Sequence, residues 1–228
     1  MRILLTGSKG TIGTVLMNGM PGIEFVPFDL PEHDARNLAD LTKAAEGCHG
    51  IIHLAWNTWD ENFRNGGYSV DNSLMTANVY QACVAAKVPK ILLASSVHAN
   101  HPSFLPSAAI GSEDPASPDS PYGANKLLLE KLGGAYADKY GLDVTCVRFG
   151  CVEEKNVRPK NDSFEEAVWL SHEDLLSLVE KWIKSQVYIC RHVVMHATSY
   201  HESHPYDLGN PFRWEPRDEE RGTPMRLD

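Results

Sequence analysis

Three glycines at the very start of the chain constrain it more than any other feature. Gly7-Ser-Lys-Gly10-Thr-Ile-Gly13 follows directly on the apolar run at residues 3–6. Such a run reads as a buried strand, and the glycines as a turn that opens a helix. The first glycine allows a tight turn, the second lets backbone approach a pyrophosphate, and the third lets helix pack on strand. Free N–H groups at the helix start favour an anion. The chain is therefore expected to open with a dinucleotide-binding unit.

The rest of the chain continues the alternation that this unit begins. Strand-like segments at 24–28, 50–55, 91–95, 144–149 and 187–195 are separated by helix-like segments at 37–46, 72–86, 121–140 and 172–185. Alternation of this kind predicts an α/β fold: a doubly wound Rossmann-type parallel sheet with helices on both faces. Ser120 with Pro121 reads as a helix start, and Ser171 as another cap. The Pro- and Ser-rich loop at 101–120 and the polar stretch at 153–166 break the alternation, and the second is a candidate lid. No composition break marks a boundary, so one domain over 1–228 is expected. Its substrate side would lie near 97–120, 151–170 and 197–215, the last forming a small C-terminal substrate-binding portion. Net charge is -9, which argues against nucleic acid or an anionic membrane as partner. No apolar run approaches the length of a membrane helix. The N-terminus shows no signal-peptide pattern, and the odd set of 5 cysteines holds no C-x-x-C pair. A reducing cytoplasm is expected.

Asp29 closes the second strand-like run, 16 positions beyond Gly13. A carboxylate there can accept both ribose hydroxyls of an adenosine half and repels a 2′-phosphate, so NAD is favoured over NADP. Asp34 follows so soon that the usual third strand of the first half is expected to be very short or missing. Tyr122 and Lys126 stand four apart at the start of a long helix and share a face. A free phenol has a pKa near 10, too high for a base at neutral pH. A neighbouring ammonium would lower it, and the pair could then take a proton from a hydroxyl as hydride leaves. Ser95 and Ser96 end a strand, where ligands sit in open parallel sheets. Position alone does not choose between them.

The segments TGSKGTIG, FDL, HDARNLADL, GIIHLAW, DNSLMTANVYQA, ILLASSVHA, SPYGANK and VRFG together resemble an extended short-chain dehydrogenase/reductase of the NAD-dependent epimerase/dehydratase family. WLSHEDLLSLVEKWI and NPFRWEP are similar to its uronate dehydrogenase branch. The resemblance implies Tyr122 as general acid/base, Lys126 on the nicotinamide ribose and Ser96 as the catalytic hydroxyl. It implies Asn72 as a support of proton relay. Thr11 and Ile12 would contact pyrophosphate through backbone, with Asp34 and Ala35 by the adenine. Leu54, Ala55, Trp56 and Val152 would line the cofactor, and Thr58, Val97, His98, Cys151 and Arg158 the substrate. Two departures stand out: the branch usually carries Asn where this chain has Val97 and Ser where it has Cys151. The stretch around Arg158 also differs in length, so Arg158 or Lys160 would be the cation facing a carboxylate.

These readings predict an enzyme that oxidises a hydroxyl of a small sugar or sugar acid with NAD, and relatives suggest a homodimer through the long helices. Two other functions fit the same fold. A nucleotide-sugar epimerase or dehydratase would keep NAD bound and return the hydride; the 78 residues after Gly150 (228 minus 150) are few for its larger substrate. An NAD-sensing protein would have no need of the Tyr122–Lys126 pair. His192 and His196 share a strand face but lack a convincing third ligand, so no metal is expected. Trp214 is read as packing.

Overall fold

The computed structural model describes residues 1–59, 61, 65–101, 109–160, 164–185, 191–200 and 204–217. Six parallel strands form one sheet: β1 (Arg2–Thr6), β2 (Glu24–Phe28), β3 (Gly50–His53), β4 (Lys90–Ser96), β5 (Asp143–Phe149) and β6 (His192–Ala197). They lie in the order β2-β1-β3-β4-β5-β6. Between β2 and β3 the chain forms a helix but no strand, as the early Asp34 predicted. The helices are α1 (Thr11–Gly19), α2 (Leu38–Ala45), α3 (Val70–Ala85), α4 (Pro121–Tyr140), the short α5 (Phe164–Ala167) and α6 (His172–Lys184).

Alternate strand residues feed opposite faces of the sheet, as a two-residue period requires. Leu4, Ile51, Ile91, Leu93 and Val144 pack under α2, α3 and α4. Ile3, Leu5, Ile52, Leu92 and Val147 pack with Leu16 of α1 and Leu175, Leu178 and Trp182 of α6. The sheet is therefore covered on both faces, and its strands read as nearly continuous apolar runs.

Side chains cap the helices where the sequence places them. Ser120 accepts from the Gly123 N–H at 3.1 Å, and Ser171 from that of Asp174 at 3.1 Å. Asn37 accepts from Asp40 at 3.2 Å. Two boundaries need correction. β3 ends at His53, not 55, because residues 54–57 turn out to form the lip of a cleft. β6 begins at His192 and runs to Ala197, later than the expected 187–195. Its register is set by β5, with Val144 opposite His192 and Phe149 opposite Ala197. Residues 187–190 lie outside the described residues.

Trp214 lies in the core beneath α6, its indole N–H donating to the Ser177 hydroxyl at 3.0 Å. Among the described residues no helix is long and apolar enough to cross a membrane. Cys48, Cys83, Cys146 and Cys151 are free thiols.

Candidate active site

The chain reverses its direction of winding between β1 and β3, and a crevice opens there beyond the carboxyl ends of the strands. A cleft of about 480 Å³ runs from Gly7 and Gly10 past Asp29, Asp34 and Ala35 to Leu54, Ala55, Trp56 and Thr58. Its base is tied by buried His53, whose ring bridges the Thr6 hydroxyl at 2.7 Å and the Thr76 hydroxyl at 2.9 Å. Burial, and then the charge of Lys126, push this imidazole down to about 3, so it is neutral at physiological pH.

The three glycines differ in what they require. A Cβ on Gly7 would lie 2.6 Å from the Ala55 nitrogen, and one on Gly13 2.4 Å from the Gly7 carbonyl. Both are needed for backbone to meet backbone, and Gly7 also has a φ of +70°. Gly10 is different: its Cβ would meet only the Gly7 carbonyl, at 3.4 Å. Packing inside the protein does not demand glycine there, whereas close approach of a phosphate does. No side chain caps α1, so the amides of its first turn, at Thr11, Ile12 and Gly13, stay available to an anion. The residues present thus fit a dinucleotide. Asp29 accepts from the backbone N–H of Lys9 and of Leu30, each at 2.8 Å, which fixes its carboxylate at the cleft wall. Arg36 is held by Asp34 at 2.6 Å and by Asp71 at 2.8 Å. Ile12, Leu54 and Val152 pack at the edge of the α1–α6 core.

At the end of β4 the structure separates the two serines. Ser95 turns into the interior and hydrogen-bonds the Glu130 carboxylate. Ser96 faces the other way: its hydroxyl accepts from the His98 N–H at 3.3 Å and acts on the Tyr122 phenol. Gly123 lets α4 approach this corner: a Cβ there would lie 2.0 Å from the His98 carbonyl. Lys126, one turn along α4, donates to the Ala94 carbonyl at 2.7 Å. Its amine sits 3.6 Å from the centre of the Trp56 ring, which meets Tyr122 edge-on at 5.5 Å.

The electrostatics differ from the simple expectation of an ammonium lowering a phenol. Burial raises the Tyr122 pKa, the Ser96 hydrogen bond offsets part of this, and the charge of Asp119 raises it further. Burial also lowers the Lys126 ammonium to about 7, against the pull of Glu130. Lys126 is 5.7 Å from the centre of the Tyr122 ring and engages Ala94 and Trp56 instead. This environment favours the neutral form of the phenol.

The other expected residues fall into two groups. His98 lies beside Tyr122, ring centres 5.8 Å apart. Cys151 is half-buried near α5, its thiol donating to Glu153 at 3.3 Å and its pKa pushed up to about 12, by burial first. Arg158 donates to the Tyr200 carbonyl at 2.7 Å and lies over Trp169 at 4.7 Å. Asn72 is fully buried and spends its side chain on the backbone of Asn57, accepting at 2.6 Å and donating at 3.3 Å. It holds the cleft lip in place. Val97 turns its side chain into an apolar cluster with Ile110, Val168 and Tyr206.

Sequence reasoning missed a buried polar chain behind the site. Glu130 and Arg148 form a paired salt bridge at 2.9 and 2.8 Å, and Arg148 reaches His196 at 3.4 Å. Tyr206 stacks on His196 at 4.3 Å and donates to the Asn100 carbonyl at 3.0 Å. It also missed Asp119, which binds His98. The one available signal was Arg148 inside an apolar strand, since a buried cation demands a partner. His192, on the same face of β6 as His196, lies against the Cys146 thiol at 3.8 Å.

Comparison with known proteins agrees with this geometry. Residues 3–168 match the model of the NAD dependent epimerase/dehydratase family. The chain belongs to that family. It is 33% identical to the L-arabinose 1-dehydrogenase (NAD(P)(+)) of Haloferax volcanii over 205 residues, 76% of this chain and 78% of that protein. It is 30% identical to a uronate dehydrogenase of Agrobacterium fabrum, covering 95% of this chain and 84% of that one. A mutant uronate dehydrogenase from Agrobacterium tumefaciens, crystallised with NAD, superposes with a TM-score of 0.79 at 26% identity, over 95% of this chain and 84% of that one. The UDP-glucose 4-epimerase of Halalkalibacterium halodurans is 28% identical, but the match spans only 50% of its length. The family assignment and the doubly wound fold thus stand as the motifs predicted.

Proposed function

We propose that this chain oxidises a hydroxyl of a small sugar or sugar acid, an aldose or a uronate, with NAD as acceptor. The observation that carries the reading is that Ser96, at the carboxyl end of β4, faces Tyr122 closely enough to act on its phenol, with Lys126 one turn away on the same helix. NAD, when bound, would supply the hydride acceptor. Ser96 holds the reacting oxygen, and Tyr122, once deprotonated, takes its proton. Lys126 supplies positive charge beneath them, and binding of ribose hydroxyls would draw it from Ala94 and Trp56 toward the cofactor. Asp29 would accept from the adenosine ribose, and the Gly10 turn with the first amides of α1 would hold the diphosphate.

The residue types at positions 97 and 151 favour a neutral aldose over a uronate. Val97 and Cys151 offer no strong donor where the branch usually has Asn and Ser; Arg158 gives one nitrogen to Tyr200 and lies over Trp169, while its buried Nε has no hydrogen-bond partner among the described residues. An uncompensated buried polar group on a ligand costs about 1–3 kcal/mol, enough to separate the two classes by about fivefold to a hundredfold. Free thiols suit a reducing cytoplasm. Association through α3 and α4 fits the exposure of Leu74 and Leu128 on those helices, and light scattering at working concentration would read a dimer mass.

The test is a panel of aldoses, uronates and sugar phosphates with NAD or NADP, read as absorbance of the reduced nicotinamide. NADH is expected to accumulate with an aldose, faster than NADPH. An epimerase would leave no net NADH. Tyr122→Phe is expected to lose at least a thousandfold in kcat while still binding NAD. A Tyr122→Phe variant that turns over as the wild type does would end this reading.

A further inference from the structure

Each oxidation of a hydroxyl leaves one proton on Tyr122, and that proton must leave before the next turnover. The neighbours of Tyr122 differ in their ability to carry it. Asn72 has both polar atoms of its side chain on the Asn57 backbone. Lys126 is 5% exposed and does not itself reach bulk water. Ser96 can pass a proton but has no basic lone pair to hold one.

His98 has such a lone pair. It stands in the short turn after β4, with its ring edge-on to Tyr122 at 5.8 Å. Its Nδ1 lies 2.6 Å from the Asp119 carboxylate. In the neutral ring that contact places the hydrogen on Nδ1, which leaves Nε2 as the acceptor. The His98 side chain is 40% exposed, so it connects the site with water. Asp119 is itself fixed: its other oxygen accepts from the Ser120 hydroxyl at 2.7 Å, and Ser120 caps α4 two residues before Tyr122 opens its first turn. One carboxylate thus ties the imidazole to the helix that carries the phenol. The titratable groups facing His98 are Asp119, Tyr122 and His101, which stacks on it at 6.0 Å and reaches the same Asp119 oxygen at 3.7 Å. Phe164 of α5 closes the remaining side at 5.8 Å.

We propose that His98 is the proton outlet of the reaction and that Asp119 is its positioning residue. After oxidation the Tyr122 O–H bond breaks and an N–H bond forms at His98 Nε2, directly or over one water. The imidazolium then gives that proton to bulk buffer, and Tyr122 is ready for another hydroxyl. No electrons move in this step. Asp119 stabilises the imidazolium while it exists and fixes the ring between turnovers.

The inference rests on the dehydrogenase reading, and one set of assays separates the two. NADH formation by wild type, His98→Gln and Asp119→Asn is measured in dilute buffer and again with tens of millimolar imidazole. For His98→Gln, kcat is expected to fall at least tenfold in dilute buffer, with the Kd for NAD within twofold of wild type. Imidazole should restore much of the loss, because a free base then replaces the outlet. Asp119→Asn should show a smaller, equally rescued loss. A mere structural or substrate-binding role would not respond to imidazole. If His98→Gln and Asp119→Asn turn over like wild type, or if neither loss is relieved by imidazole, the outlet is disproved while the dehydrogenase reading stands. If wild type forms no NADH with any sugar, the reading itself fails.

Discussion

Glu130 is the residue on which most buried interactions of the site converge. It takes the Ser95 hydroxyl and two nitrogens of Arg148, and it is 1% exposed. Its carboxylate also supports positive charge on Lys126. The pair with Arg148 is not a simple source of stability, because both ions are taken out of water at a cost of several kcal/mol each. What it provides is a fixed corner between β4, β5 and α4. Removing one partner leaves the other charge buried and uncompensated. Glu130→Gln is therefore expected to cost about 3–5 kcal/mol of unfolding free energy, measured by urea denaturation at neutral pH. Glu130→Met combined with Arg148→Met removes both charges and should cost less than Glu130→Gln alone. A single variant within 1 kcal/mol of wild type would show that water reaches this corner.

At the scale of the element, α4 decides whether the catalytic groups meet. It rests on two glycine contacts, Gly123 against the His98 carbonyl and Gly133 against the Tyr80 hydroxyl. Gly123 is the more consequential, since a Cβ would come within 2.0 Å of a backbone oxygen that has no freedom to yield. Gly123→Ala must lift the first turn and carry Tyr122 away from Ser96. A displacement of about 1 Å costs on the order of a hundredfold in rate. We expect kcat to fall by that factor, with far less change in NAD affinity, because Asp29 and the Gly10 turn lie on other elements. Steady-state kinetics with titration of NAD would check this, and an undiminished kcat would mean that α4 does not fix the phenol. The elements themselves were largely readable because their signals are local. Ser120 and Ser171 cap helices three residues on, and the glycine turn acts within seven residues. Signals that depend on distant partners were not readable. The strand β6 starts late because β5 sets its register. Ser95 and Ser96 are told apart only by Glu130, 35 positions on. Asp119 meets His98 across 21 positions of a loop that carries no periodicity.

For the whole molecule, buried histidines couple folding to pH. His53 and His196 are fully or almost fully buried, and burial pushes each imidazole down to about 3. Arg148 contributes to the second through its charge. In the unfolded chain both would titrate near the ordinary 6.5. The folded state therefore binds fewer protons between about 6.5 and 3, and the stability present above pH 6.5 is lost as pH falls through that window. Lys126 acts on the alkaline side: its folded pKa of about 7 lies below the ordinary 10.5, so stability is gained as pH rises from 7 towards 10.5. Its contribution is nearly constant below pH 7 and does not mask the histidines. From pH 7 to pH 5 each histidine gives up about 2 kcal/mol, at about 1.36 kcal/mol per unit, so the pair should remove about 4 kcal/mol. Urea unfolding at the two pH values measures the difference. His196→Gln cannot titrate, so in that variant the drop should shrink to about half. A wild type equally stable at both pH values would mean that these rings take up protons in the folded state, and the neutral chain from His53 to Thr6 and Thr76 that braces the cofactor cleft would have to be redrawn.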